Sequence, residues 1–256
     1  MHMNKKSRDV IIVFDGSFDG FLCAIYAIYY DNINPVLIQK EEEVQLALDS
    51  ELYQVTTDIN QAARVLKGIE TKISEGAASN VYYSFLSGKD DKYMTIFRYI
   101  QFGFSIGSTI DSHLQQDCVR AVHDLARQVG KEAHLLNGFS RFAETDTGVY
   151  YCEITPKNDV LALIAEHFCS RFMNQAWVIH DKRRNQAAIY DGNTHVIVSV
   201  PKNATVSYAE GERETQQLWA AFFKVLAIEA RKNPKLQRQM VPLYFRKNMT
   251  EFKEIL

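Results

Sequence analysis

Apolar residues run unbroken from Val10 to Phe14, and a β-branched run of that length reads as a strand buried on both faces. The loop Asp15-Gly16-Ser17-Phe18-Asp19-Gly20 breaks the run. Phe18–Tyr30 then continues as a helix apolar nearly all round, which must lie inside the protein. Pro35 and the acidic Glu41-Glu42-Glu43 lead to a second, amphipathic helical stretch. Over 58–75, Ile59, Ala62, Ala63, Leu66 and Ile69–Ile73 form one stripe, which predicts a helix. Further helices are expected over 77–87, over 91–105, and over 112–129 with Gly130 as the C-cap. The helix over 91–105 carries Tyr93, Phe97, Tyr99, Phe102 and Phe104, a stripe that reads as core or, alternatively, as a base-stacking platform.

The period then changes. Phe139–Glu144 and Val149–Thr155 read as strands around the Gly-containing turn Thr145-Asp146-Thr147-Gly148. A helix opens at Pro156–Asn158 and runs to about Met173. Three short strands follow, Trp177–Asp181, Gln186–Tyr190 and His195–Val200, separated by Lys182-Arg183-Arg184-Asn185 and Asp191-Gly192-Asn193. A long amphipathic helix over 212–232 is expected to bury Leu218, Trp219, Phe222, Val225 and Leu226, and to stop at Asn233-Pro234. The fold class is therefore α+β: a helical N-terminal part with one buried strand, then an antiparallel sheet (hairpin, helix, meander) covered by helices. No repeat or low-complexity linker interrupts the chain. One compact unit is expected, with subregions 1–130, mainly helical, and 131–256, α+β.

Composition narrows the class without naming a reaction. With 46% hydrophobic and 23% charged residues, the chain can bury a core that needs no disulfide or metal. The longest apolar stretch, Phe21–Tyr30, falls short of the roughly 20 residues a membrane span needs. Lys5, Lys6 and Arg8 precede only the short Val10–Phe14 run, which is not a signal-peptide pattern. A soluble, cytoplasmic protein with no membrane partner is expected. Cys23, Cys118, Cys152 and Cys169 form no C-x-x-C and have no histidine at zinc-ligand spacing, so they read as free thiols; no metal and no cofactor is implied. The net charge of −2 is uneven: residues 160–256 hold 14 Lys+Arg against 9 Asp+Glu (+5), leaving 15 against 22 (−7) for residues 1–159. A basic C-terminal part suits a polyanion partner, docking between the two parts, or a solvated surface.

Three groups of residues carry candidate chemistry. In the first, Asp15, Gly16, Ser17, Asp19 and Gly20 place backbone N–H groups at a helix start, where anions bind. The loop fits neither common nucleotide fingerprint, its two aspartates repel a bare phosphate, and Ser17 or Asp19 would serve equally as a helix cap. His113, His123 and His134 are spaced too far along a helix to share a metal. In the second group, Glu132 with His134, Glu166 with His167, and His180 with Asp181 pair imidazole and carboxylate. They form an acid/base or metal site only if the fold converges them, and otherwise play surface or supporting roles. The third group is basic: Arg141, Arg171, Arg183 and Arg184, joined by Lys235, Arg238, Arg246 and Lys247 in a tail interleaved with Tyr244 and Phe245. These could grip a phosphate backbone, or Asp181 could pair with an arginine to fix its turn.

Several of these stretches together resemble one bacterial family. Phe14-Asp15-Gly16-Ser17-Phe18-Asp19-Gly20-Phe21-Leu22 is similar to its opening signature, and Lys131-Glu132-Ala133-His134 through Gly138-Phe139-Ser140-Arg141-Phe142 to its central one. Glu166-His167-Phe168 with Arg171-Phe172, Trp177-Val178-Ile179-His180-Asp181 with Arg183, and Pro242-Leu243-Tyr244-Phe245-Arg246 to Thr250-Glu251 follow the same pattern. The family is one of uncharacterised proteins described as probable DNA-metabolism proteins. Its members resemble companions of a radical-SAM protein in DNA modification or repair, and some are fused to a uracil-DNA glycosylase-like domain. The resemblance implies an accessory protein that binds nucleic acid, a nucleotide or a radical-SAM partner, and it transfers no catalytic residue. Where the family places Arg-Phe after the central histidine, this chain has Leu135-Leu136, which argues against an anion clamp there. Two other readings stay open: an enzyme acting on a nucleobase or phosphodiester through Glu132, His134, His167, His180 and Asp181, and a purely structural interaction module.

Overall fold

The computed structural model describes residues 9–44 and 50–253. Strand β1 (Asp9–Phe14) is the centre of a parallel sheet, flanked by β2 (Pro35–Lys40) on one side and β3 (Ser50–Gln54) on the other. Helix α1 (Phe18–Tyr30) connects β1 to β2 and buries Phe21, Leu22, Cys23, Ala24 and Ile25, as its all-round apolar pattern requires. The N-terminal part thus holds three strands where one was expected. β3 escapes the pattern because it is an edge strand with mostly exposed side chains and no apolar run beyond Leu52-Tyr53; β2 does carry the apolar Val36-Leu37-Ile38, a short strand signal hidden behind Pro35. Part of the helical stretch expected after Glu43 lies outside the described residues, and Ser50–Gln54 is strand instead.

Four helices complete this part: α2 (Ile59–Lys72), α3 (Glu75–Phe85), α4 (Lys92–Ile106) and α5 (Asp117–Phe139). Asp58 caps α2 by accepting from Asn60 N (2.7 Å) and Gln61 N (3.1 Å), and Ser74 caps α3 through Ala77 N (2.9 Å). Tyr93, Phe97 and Tyr99 of α4 are buried, with Tyr93 packed on Phe14, Phe21 and Phe85, so this part of the aromatic stripe is core, while Phe102 and Phe104 are half-buried. Gly130 does not end α5. An added Cβ there would merely touch the Tyr83 ring at 3.6 Å, and the helix continues because Val129, Ala133 and Leu136 are buried on either side of it. A mid-helix glycine costs only about 1 kcal/mol, less than such burial returns.

The chain divides into two compact units, 1–130 and 131–256, at the residue where the sequence changes character. The second unit contains β4 (Ala143–Glu144), β5 (Tyr150–Ile154), α6 (Leu161–Arg171), β6 (Trp177–Asp181), β7 (Gln186–Tyr190) and β8 (His195–Ser199), with the strands in sequence order across one sheet. The β6–β7–β8 meander is antiparallel, as expected, but β5 and β6 are parallel, so the sheet is mixed. The reason is α6, which forms a crossover between them rather than a helix laid over a hairpin. Trp177 is wholly buried and stacks on Tyr190 at 5.3 Å.

Three helices follow: α7 (Glu212–Val225), α8 (Pro234–Met240) and α9 (Leu243–Arg246). The apolar stripe of α7 is not buried as expected: Leu218 is 72% exposed and Val225 83%, with Trp219, Phe222 and Leu226 also exposed. Asn233 caps α8 by accepting from Leu236 N at 3.0 Å, and Pro234 occupies its first turn. Among the described residues no helix is long and apolar enough to cross a membrane.

Candidate functional site

The Asp15–Gly20 loop fills its own helix start. Ser17 Oγ accepts from Gly20 N (2.9 Å), while Asp15 Oδ1 accepts from Ser17 N (2.9 Å) and Ser17 Oγ (2.6 Å), and Asp15 Oδ2 accepts from Thr57 Oγ1 (2.8 Å). Burial acts to raise the Asp15 carboxyl, but these hydrogen bonds outweigh it and hold it below its ordinary value. A Cβ at Gly20 would stand 2.2 Å from Asp15 Oδ1, and Gly16 has φ +86°, so both glycines are demanded by the loop. Gly20→Ala is expected to destabilise the protein by about 1–3 kcal/mol in urea unfolding, the usual cost of overpacking; an unchanged midpoint would show that Asp15 moves away freely.

Glu132, Asp181 and Arg184 converge on one loop of the second unit. Because α5 runs past Gly130, Glu132 is helical and buried. Its carboxylate accepts from Lys157 N (2.8 Å), Asn158 N (2.8 Å) and Asn158 Nδ2 (2.7 Å). Asp181 is fully buried at the end of β6 and accepts from Arg183 N (2.9 Å), Arg184 N (3.3 Å) and Arg184 Nη1 (2.9 Å). Arg184 in turn donates through Nη2 to Lys157 O at 2.9 Å. Both carboxylates therefore hold backbone, and the Asp181–Arg184 pair fixes its turn.

Tyr244 sits on the same loop, its hydroxyl donating to Thr155 O. Burial, with the Glu132 charge behind it, pushes that hydroxyl up to about 12, while Arg183 and Arg184 act in the opposite sense. The Tyr244 ring carries two lysine ammonium groups, Lys157 at 5.3 Å and Lys247 at 5.7 Å from its centroid. Lys247 also lines a polar cleft of about 140 Å³ together with Lys253, Arg141, Tyr151, Glu153 and Tyr208. Arg183, Lys157, Lys247 and Lys253 are exposed and form no ion pair among the described residues. Arg141, by contrast, is tied by Nη2 to Glu251 Oε1 (2.6 Å) and by Nε to Glu251 Oε2 (3.1 Å), with its guanidinium over Trp219.

His180 and Asp181 are neighbours on a strand and so face opposite sides of the sheet. His180 Nδ1 meets Tyr151 OH at 2.8 Å, and its buried Nε2 has no hydrogen-bond partner among the described residues. Burial first, then Lys182, lowers its pKa from 6.5, against the pull of Glu153 and Asp181. The unfolded chain therefore takes up a proton at a higher pH than the folded one. Stability is full above about 6.5 and declines as pH falls through the lowered folded value. A pH series of urea unfolding should show this decline in the native chain and a flatter curve in His180→Gln; identical curves would place His180 in water.

The remaining residues singled out by sequence do not join these groups. His134 and Arg171 are exposed, and His167 is half-buried with its ring edge on Phe168 (5.1 Å). Arg246 donates to Val241 O (3.0 Å) and lies over Phe252 (4.5 Å). Five clefts among the described residues are lined without Glu132, His134, His167, His180 or Asp181. No group of three His, Cys, Asp or Glu side chains among them could hold a metal ion. Sequence reading missed Lys157 and Lys253, which only the fold brings to Tyr244 and its cleft. It also missed Asp111 in the first unit, whose Oδ1 meets Tyr99 OH (2.7 Å) and His123 Nε2 (2.8 Å).

Residues 90–251 match the model of a family described as a domain of unknown function, DUF4130, and the chain belongs to that family. No curated protein matches the chain.

Proposed function

We propose that this member of the DUF4130 family is a DNA-metabolism accessory protein whose C-terminal unit grips a nucleic-acid backbone across Tyr244. The observation that carries the reading is a set of exposed cations without ion pairs among the described residues: Lys157 and Lys247 over the Tyr244 ring, Arg183 acting on its hydroxyl, and Lys253 in the cleft that Lys247 lines. Ammonium groups without carboxylate partners suit phosphates, which position a nucleic acid without reading its sequence. The resemblance to probable DNA-metabolism proteins agrees with this, and under it a radical-SAM protein is the partner that would supply the chemistry. Catalysis by Glu132 and Asp181 has less support, because both carboxylates are committed to backbone amides.

The test is anisotropy of short labelled single- and double-stranded DNA titrated with the full chain from about 50 to about 200 mM salt. Four phosphate contacts predict a log–log slope of about −3.6 on duplex and about −2.8 on single strands. Absence of binding at the lowest salt would overturn the proposal.

A further inference from the structure

The exposed stripe of α7 does not end with the helix. Phe223, Leu226, Ile228, Leu236 and Met240 line a groove of about 870 Å³ shaped by the end of α7, the turn at Glu229–Arg231 and α8. These are large side chains left in water: Leu226 is 61% exposed, Ile228 56% and Met240 66%. Each would gain about 1.5–3 kcal/mol from full burial, and contiguous apolar surface of this kind marks an interaction site. The groove also has a sign. Lys224, Arg231 and Lys232 line it, and among the described side chains no carboxylate does. Residues 224–240 as a whole carry five cations (Lys224, Arg231, Lys232, Lys235, Arg238) against one carboxylate, Glu229.

We infer that this groove docks an amphipathic helix of a partner protein, one with an apolar ridge and acidic flanks. The concavity accepts a ridge of side chains at i, i+3, i+4 and i+7, and the cations meet carboxylates at its rim. A second copy using the same face would set cations against cations. An anionic lipid surface would satisfy the charge, but its planar face matches a convex apolar helix face rather than a concave groove. The groove shares no residue with the cation set around Tyr244, so this inference stands independently of nucleic-acid binding.

The test uses the full chain and a labelled synthetic helical peptide with Leu and Phe at helical spacing and Glu on both flanks. Saturable binding is expected, weakened about tenfold or more when Lys replaces the flanking Glu. Leu226→Glu with Leu236→Glu should weaken it by at least a similar factor; both positions are exposed, and an unchanged circular dichroism spectrum and unfolding midpoint would confirm that the variant folds. The inference is overturned if the acidic peptide fails to bind, if the Lys-flanked peptide binds as well, or if the double variant binds unchanged. It is equally overturned if sedimentation shows a dimer abolished by the double variant, if duplex DNA displaces the peptide in the Lys157→Glu/Lys247→Glu background, or if anionic vesicles displace it.

Discussion

Asp181→Ala is expected to destabilise the second unit by about 3–5 kcal/mol, the cost of removing one partner from a buried ion pair. The carboxylate is fully buried and accepts two backbone amides and the Arg184 guanidinium. Its loss leaves those donors unsatisfied and frees Arg184 from the Pro156–Lys157 backbone that it also holds. Urea unfolding should show the loss as a lower midpoint. Asp181→Ala combined with Arg184→Leu should cost less than the sum of the two single changes, because the pair acts together. A loss below about 1 kcal/mol would mean that this turn is held from elsewhere.

Lys157→Glu with Lys247→Glu should weaken DNA binding by roughly tenfold per reversed lysine and flatten the salt dependence. The weakening should be uniform across sequences, since phosphate contacts carry no base information. Both side chains are exposed, so the unfolding midpoint should stay within about 0.5 kcal/mol of the parent. Glu substitution of Arg171 is the internal comparison: it is equally exposed but sits at the end of α6, outside that set of cations, and should leave affinity nearly unchanged. Equal losses at Arg171 and at the two lysines would reduce the effect to net charge.

Strands 177–181 and 186–190 were legible to the residue, because each short apolar run is bracketed by turn residues. Edge strand β3 was not, since Leu52 and Tyr53 are too few apolar positions to stand out, and β2 was not, because its short Val36-Leu37-Ile38 run follows a proline and leads straight into charged residues. The α7 stripe was legible as an apolar face, but periodicity says only that a face is apolar and never what covers it. At the site, the role of Glu132 was hidden because it holds the amides of Lys157 and Asn158, and a backbone N–H leaves no mark in sequence. One signal was available. Adjacent strand residues point to opposite faces, so His180 and Asp181 could not have served one acid/base centre. Tyr244 was visible within the basic tail, yet its meeting with Lys157 depends on the fold alone.

The most direct measurement is amide hydrogen exchange of the full chain with and without a saturating short DNA duplex at low salt. Added protection is expected over 155–158, 182–184 and 243–253, the segments that carry Tyr244 and the cations around it. Protection confined to the Asp15–Gly20 loop or to α7 and α8, or none anywhere, would contradict the nucleic-acid grip across Tyr244.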